Sequence, residues 1–134
     1  MPPTKRDFPR IERLESPTLD LSISIVNTDN RDLLLGCLES IYSHDQGIEF
    51  EVLVVDNASS DGSVEEVRRL YPDVVLSIND TKKSYAVNNN INLKIAKGRH
   101  LMLLNDDTIV FDGTFKAHVD FLDSNPDFGG TGGK

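Results

Sequence analysis

Cysteine is almost missing from this chain: Cys37 stands alone among 134 residues, which excludes an intrachain disulfide and a cysteine metal cluster. Tryptophan is absent, and the three histidines, His44, His100 and His118, are scattered without metal-ligand spacing. Positive charge is also short. With 14 Lys and Arg against 22 Asp and Glu the formal net charge is −8, which argues against a nucleic-acid partner because phosphate backbones are held mainly by lysine and arginine. No apolar run approaches the ~20 residues that span a bilayer, and Met1-Pro2-Pro3-Thr4-Lys5-Arg6 lacks the apolar core of a signal peptide. A cytoplasmic location without a transmembrane segment is the expectation. What remains is an ordinary globular composition, 38% hydrophobic and 27% charged, long enough for one sizeable core.

Residues 1–20 hold Pro2, Pro3, Pro9 and Pro17 among charges, which disfavours regular structure. They are expected to form a flexible leader, with Phe8, Ile11 and Leu14 available to dock on the domain 21–134. From Leu21 apolar residues alternate with Ser22 and Ser24 in strand rhythm, and the serine side leaves room for close helix packing. Asn27-Thr28-Asp29-Asn30 then supplies turn and cap chemistry, and Leu33/Leu34, Cys37/Leu38 and Ile41/Tyr42 recur at helical spacing. Cys37 lies on that buried face, where an inert thiol is expected. Glu51–Asp56 is a second strand, too continuously apolar for a sheet with one wet face. Ser63-Val64-Glu65-Glu66 matches a capping box opening a short helix stopped by Pro72. A third strand is expected at Val74–Ile78 and a helix from Ser84 to Lys97, with Val87, Ile91 and Ile95 as its apolar line and Gly98 as its stop. Asn88, Asn89, Asn90 and Asn92 are poor helix formers kept inside it, which suggests a hydrogen-bonding duty. The run Leu101–Leu104 reads as a strand covered on both faces, and Phe115, Val119 and Leu122 mark a fourth helix. Strands alternating with helices give a mainly parallel sheet between helical layers.

The fourth strand ends in Asn105-Asp106-Asp107 and the second in Asp56-Asn57. In a parallel sheet those ends share one rim, where open α/β sheets place ligands. Adjacent carboxylates repel unless a cation or a donor set neutralises them, and a divalent metal bridging to a phosphate meets that need. Competing readings are an Asx-type turn for Asp56 and a plain polar turn for Asp106 and Asp107. Three decoys fail on spacing or chemistry. The calcium-like run Asn57, Ser59, Asp61, Gly62 closes on Arg68 where a bidentate acid is needed. The terminal Gly-Gly-Thr-Gly-Gly-Lys is one residue short of a phosphate-binding loop. Asn105 stands where a phosphatase would need a nucleophile.

Taken in order, Ser24-Ile25-Val26-Asn27, Val54-Val55-Asp56-Asn57-Ala58-Ser59-Ser60-Asp61-Gly62-Ser63, Tyr85-Ala86-Val87-Asn88-Asn89-Asn90 and Leu103-Leu104-Asn105-Asp106-Asp107-Thr108 resemble the family 2 glycosyltransferases, with Asn105 similar to rhamnosyltransferase-like members. The resemblance implies a GT-A fold, a Rossmann-like three-layer αβα sandwich with strand order 3-2-1-4, and an inverting transfer of sugar from a UDP- or dTDP-sugar to the hydroxyl of a sugar or glycan acceptor in polysaccharide biosynthesis. It implies Mg2+ or Mn2+ on Asp107, Asp56 on the pyrimidine, Asn27, Thr28 and Asn57 beside the nucleotide, Asp106 near the ribose and diphosphate, and Asn89 as a polar donor contact. Thr28 stands where the family often has tyrosine, and Ser84 and Asn92 where it usually has glycine. The catalytic base and acceptor half are expected beyond the chain end, with self-association through the edge they would cover. The alternatives are a catalytically incomplete nucleotide-binding or interaction module and a receiver-like signalling domain, which also gathers acids at a parallel-sheet edge.

Overall fold

The computed structural model describes residues 18–133. Phe8, Ile11 and Leu14 of the expected leader lie outside them. Four strands alternate with four helices: β1 (Leu19–Asn27), α1 (Arg31–Tyr42), β2 (Phe50–Asp56), α2 (Ser63–Leu70), β3 (Val75–Ile78), α3 (Tyr85–Ile95), β4 (Gly98–Asn105) and α4 (Thr114–Ser124). All pairings are parallel, in the order β3-β2-β1-β4. That is the expected order, and it excludes the receiver-like alternative, whose sheet runs 2-1-3-4-5. β1 starts two residues before Leu21, because Leu19 already pairs with Gly98.

The two faces of β1 carry different chemistry, as its alternation requires. Leu21, Ile23 and Ile25 join Val52 and Val54 of β2 in one apolar core with Leu34, Cys37, Leu38 and Ile41 of α1, Val67 of α2, and Phe115 and Val119 of α4. On the opposite face Ser22 and Ser24 are also buried, and the helix above them is α3.

That helix inverts the expected pattern. Val87 and Ile95 are exposed, while Asn88, Asn89 and Asn92 are the buried residues. Ser24 Oγ donates to Asn89 Oδ1 at 2.7 Å, and Asn92 Nδ2 donates to Ser24 Oγ at 2.9 Å and to the Leu53 carbonyl at 3.0 Å. The serine face of β1 is therefore matched by amides, and hydrogen bonding outweighs the weak apolar period because a buried amide left unpaired costs more than an exposed valine. Asparagine's poor helix propensity is tolerated for the same reason.

Three further expectations change. Gly98 does not end α3, which closes at Ala96; it opens β4 with its backbone pressed against β1. The capping box does not form: Gly62 occupies the cap in a left-handed conformation, Ser63 Oγ donates to Asp61, and Glu66 pairs with Arg69 instead. β4 is a sheet edge with one face covered, so Met102 and Leu104 pack on the core while Leu103 is 53% exposed.

α4 is fastened to this edge by charge. Arg99 donates to both carboxylate oxygens of Asp123 at 2.6 and 2.7 Å and to Asp20 at 3.1 Å, and His100 meets Asp123 at 2.8 Å. Hydrogen bonds from Arg99 hold the Asp123 carboxyl well below the usual carboxylate range. A depressed acid stabilises the fold above its unfolded pKa, about 3.9, and that contribution fades as pH falls towards the native value. Asp123→Asn is accordingly expected to lower the unfolding midpoint near neutral pH and to lower it progressively less as pH falls below about 3.9. Thermal melts across that range check this.

Candidate active site at the carboxyl rim

β1, β2 and β4 end level with one another, because Asn27 pairs with Asp56 and Val26 with Asn105. Adjacent strands lie about 4.8 Å apart, so the tips of β2 and β4 stand roughly 10 Å from each other across β1. That is the span of a small ligand. A cleft of about 300 Å³ opens between them, lined by Val26, Thr28, Asn30, Asn57, Tyr85, Asn88, Asn105 and Asp106.

The loops after β1 and β2 are stitched to each other. Asp29 and Ala58 both turn through positive φ, a conformation that a non-glycine residue holds only when its surroundings fix it. Here Asp29 N donates to Ser59 Oγ at 2.9 Å, Ser60 N to Asp29 Oδ1 at 2.7 Å, and Arg31 N to Asp61 Oδ2 at 2.8 Å. Burial pushes the Asp61 carboxyl up, but hydrogen bonds from Ser63 and the Arg31 amide outweigh it and leave it lowered.

Asp56 is buried at the end of β2, and its two oxygens accept from Asn27 Nδ2 at 3.0 Å and from Ser59 N at 2.9 Å. The second bond is the Asx-type turn anticipated as the competing reading. Asn27 is buried beside it, and its Oδ1 has no partner among the described residues. Asn57 is saturated by the chain: its Nδ2 donates to Thr28 Oγ1 and the Lys83 carbonyl, and its Oδ1 accepts from Asn79 Nδ2 and Lys83 N.

The two acids after β4 differ. Asp106 is buried and accepts from Asn30 Nδ2 at 3.1 Å; burial first, and the neighbouring Asp107 charge after it, push its carboxyl upward against that bond. Asp107 is exposed and has no hydrogen bond or ion pair among the described residues. Holding Asp106 ionised costs folding energy. Asp106→Asn keeps an acceptor for Asn30 and removes that cost, so it is expected to raise the unfolding midpoint at neutral pH, checked by calorimetry.

Of the sequence-derived candidates, Thr28, Asn57 and Asp106 line the cleft. Asn27 and Asp56 form the buried hydrogen-bonded step at the adjoining strand ends, and Asp107 follows Asp106 in the exposed turn. Asn89 lies on the buried, sheet-facing side of α3, bonded to Ser24 and to the Tyr85 carbonyl. Sequence reasoning missed Asn30, assigned to capping although its side chain holds Asp106 and makes no cap bond. It also missed Tyr85, Asn88 and Asn105 as lining residues; the asparagine run was the available signal.

No group of three or more His, Cys, Asp or Glu side chains is gathered for a metal among the described residues, so an all-protein metal cage is not present there. One free carboxylate completed by ligand phosphates and water is the usual arrangement for Mg2+. Asp107 fits that arrangement.

Comparison with known proteins agrees with this geometry. The chain is 28% identical over 96 residues to the minor teichoic acid biosynthesis protein GgaB of Bacillus subtilis (strain 168), covering 69% of this chain and 11% of that protein. The fold is similar to that of S. aureus TarS residues 1–349 in complex with UDP-GlcNAc, with a TM-score of 0.68, 24% identity, and coverage of 80% of this chain and 32% of that one. It is also similar to the mannosyltransferase PcManGT from Pyrobaculum calidifontis in complex with GDP-Man and Mn2+, with a TM-score of 0.69, 26% identity, and coverage of 83% and 35%. The chain thus spans about a tenth to a third of the length of these proteins. Residues 22–132 match the family described as Glycosyl transferase family 2, and with its strand order and carboxylate-bearing rim the chain belongs to that family.

Proposed function

We propose that this chain is the donor-binding part of an inverting glycosyltransferase, which holds a UDP- or dTDP-sugar through a divalent metal while the sugar passes to an acceptor hydroxyl. The observation that carries the reading is the convergence of three strand ends on one cleft, beside which the exposed Asp107 carboxylate has no partner among the described residues. A net charge of −8 would repel a nucleotide diphosphate, and a bound cation removes that conflict locally. When bound, Mg2+ or Mn2+ would supply charge stabilisation for the departing diphosphate. Asp107 would hold it, and Asp106 would orient ribose or diphosphate hydrogen bonds from its place on Asn30. The buried Asp56 and Asn27 would set the shape of the step that receives the pyrimidine.

Support comes from the family assignment, from the nucleotide sugars in the TarS and PcManGT complexes, and from the Mn2+ in the latter. The teichoic acid role named for GgaB favours a cell-surface polymer as the acceptor class. No described helix is long and apolar enough to cross a membrane. The test is a thermal-shift panel of UDP, dTDP and GDP with Mn2+. Pyrimidine diphosphates should raise the midpoint most, since binding to the native state alone stabilises it; no shift with any of them contradicts the reading.

A further inference from the structure

We infer that Tyr85 is the platform on which the donor nucleobase stacks. This rests on the donor-binding reading above and adds to it a residue that governs nucleotide affinity. Among the eight residues lining the cleft, Tyr85 is the one aromatic; the others are three asparagines besides Asn105, one aspartate, Thr28 and Val26. Nucleobases bind through their flat faces, and an aromatic partner accepts any of them. The edges of the neighbouring amides are already occupied: Asn57 makes four bonds within the chain, and Asn88 accepts from Asn79 Nδ2 at 2.7 Å and donates to the Lys83 carbonyl at 3.3 Å. A face contact is what the cleft has left to offer on this side.

Tyr85 is the first residue of α3 and is 50% exposed. Its hydroxyl reaches Asn105 Oδ1 at 3.5 Å, the outer limit for such a bond, so the ring is not anchored by its polar end. Its backbone is fixed from several directions. Ser84 caps the helix by accepting from Val87 N, Asn89 Nδ2 donates to the Tyr85 carbonyl, and Asn57 grips Lys83 through both its amide and its carbonyl. Asn79 closes the ring by donating to Asn57 and Asn88 together. An exposed aromatic on a backbone this constrained is arranged in advance for a ligand, and little ordering remains to be done on binding.

The experiment is calorimetric titration of the 134-residue chain and of Tyr85→Ala and Tyr85→Phe with UDP and, separately, inorganic pyrophosphate, all with saturating Mn2+. Tyr85→Ala should weaken UDP roughly tenfold or more and leave pyrophosphate unchanged, while Tyr85→Phe keeps UDP affinity within about twofold because the ring is retained. Unchanged UDP affinity in Tyr85→Ala overturns the inference. So does an equal loss for pyrophosphate, which would place the ring at the diphosphate, or a Phe variant as weak as Ala, which would make the hydroxyl the contact. A parent chain that binds no UDP overturns the donor-binding reading itself, and that result is visible before any variant is measured.

Discussion

Replacing Gly98 by alanine is expected to cost about 3 kcal/mol or more of folding stability, at or above the upper end of what overpacking a well-packed site normally costs. A Cβ at this position would lie 2.4 Å from Ser22 N, 2.6 Å from the Leu21 carbonyl carbon and 2.8 Å from the His100 carbonyl oxygen. All three are backbone atoms, and two belong to the central strand, so no side-chain rotation relieves the overlap. The approach is close because Gly98 N donates to Ser22 Oγ at 2.7 Å while Ser22 Oγ donates to Glu51 Oε1 at 2.6 Å. Glu51 also accepts from Lys97 N at 2.6 Å, and these bonds draw the start of β4 onto β1. Relief requires β4 to move away from β1, which breaks the pairing that brings Asp106 to the rim. The internal control is Gly36→Ala in α1, where a Cβ meets nothing within 4 Å. That substitution is expected to stabilise the chain by ~0.5–1 kcal/mol through helix propensity and reduced unfolded-state freedom. Urea unfolding of both variants checks the pair, and the opposite signs separate a local clash from a general effect of adding a methyl group.

Gly98 also shows where the sequence was legible and where it was not. A glycine one or two residues beyond an apolar helical stretch reads as a helix stop, and nothing local distinguishes that from close contact with a strand 76 residues earlier in the chain. α3 misleads for a related reason. Val87, Ile91 and Ile95 recur at helical spacing, yet the decision lay with the partner surface: Ser24 presents a hydroxyl, so the helix turns Asn89 and Asn92 inward. Strand order was an implication of the family resemblance, whereas the element sequence and the shared rim of Asp56 and Asp106 were readable from the residues themselves. Those two follow from patterns that survive in isolation, namely apolar runs that end in acids and helices between parallel strands. Side-chain partners at the rim were less so, since Asn30 serves Asp106 rather than its own helix. A cap residue and a carboxylate holder look identical until the two loops are placed together.

Asp107→Ala is expected to have the largest effect on ligand binding. Its carboxylate is exposed and makes no bond or ion pair among the described residues, so its removal disturbs no internal contact and the fold should be unaffected. If it carries the cation, its loss removes the exposed carboxylate placed to hold Mn2+ against the phosphates, while Asp106 beside it is buried and engaged by Asn30. The account predicts at least a tenfold fall in UDP affinity with Mn2+ present, ~1.4 kcal/mol or more, with no comparable fall under chelator. A polar turn without a metal role predicts the same affinity for parent and variant in both conditions.

The most direct test of the central claim is calorimetric titration of UDP into the parent chain and Asp107→Ala, each with Mn2+ and with chelator. The account predicts that Mn2+ strengthens binding in the parent and not in the variant. Equal strengthening by Mn2+ in both, or none in the parent, would contradict it.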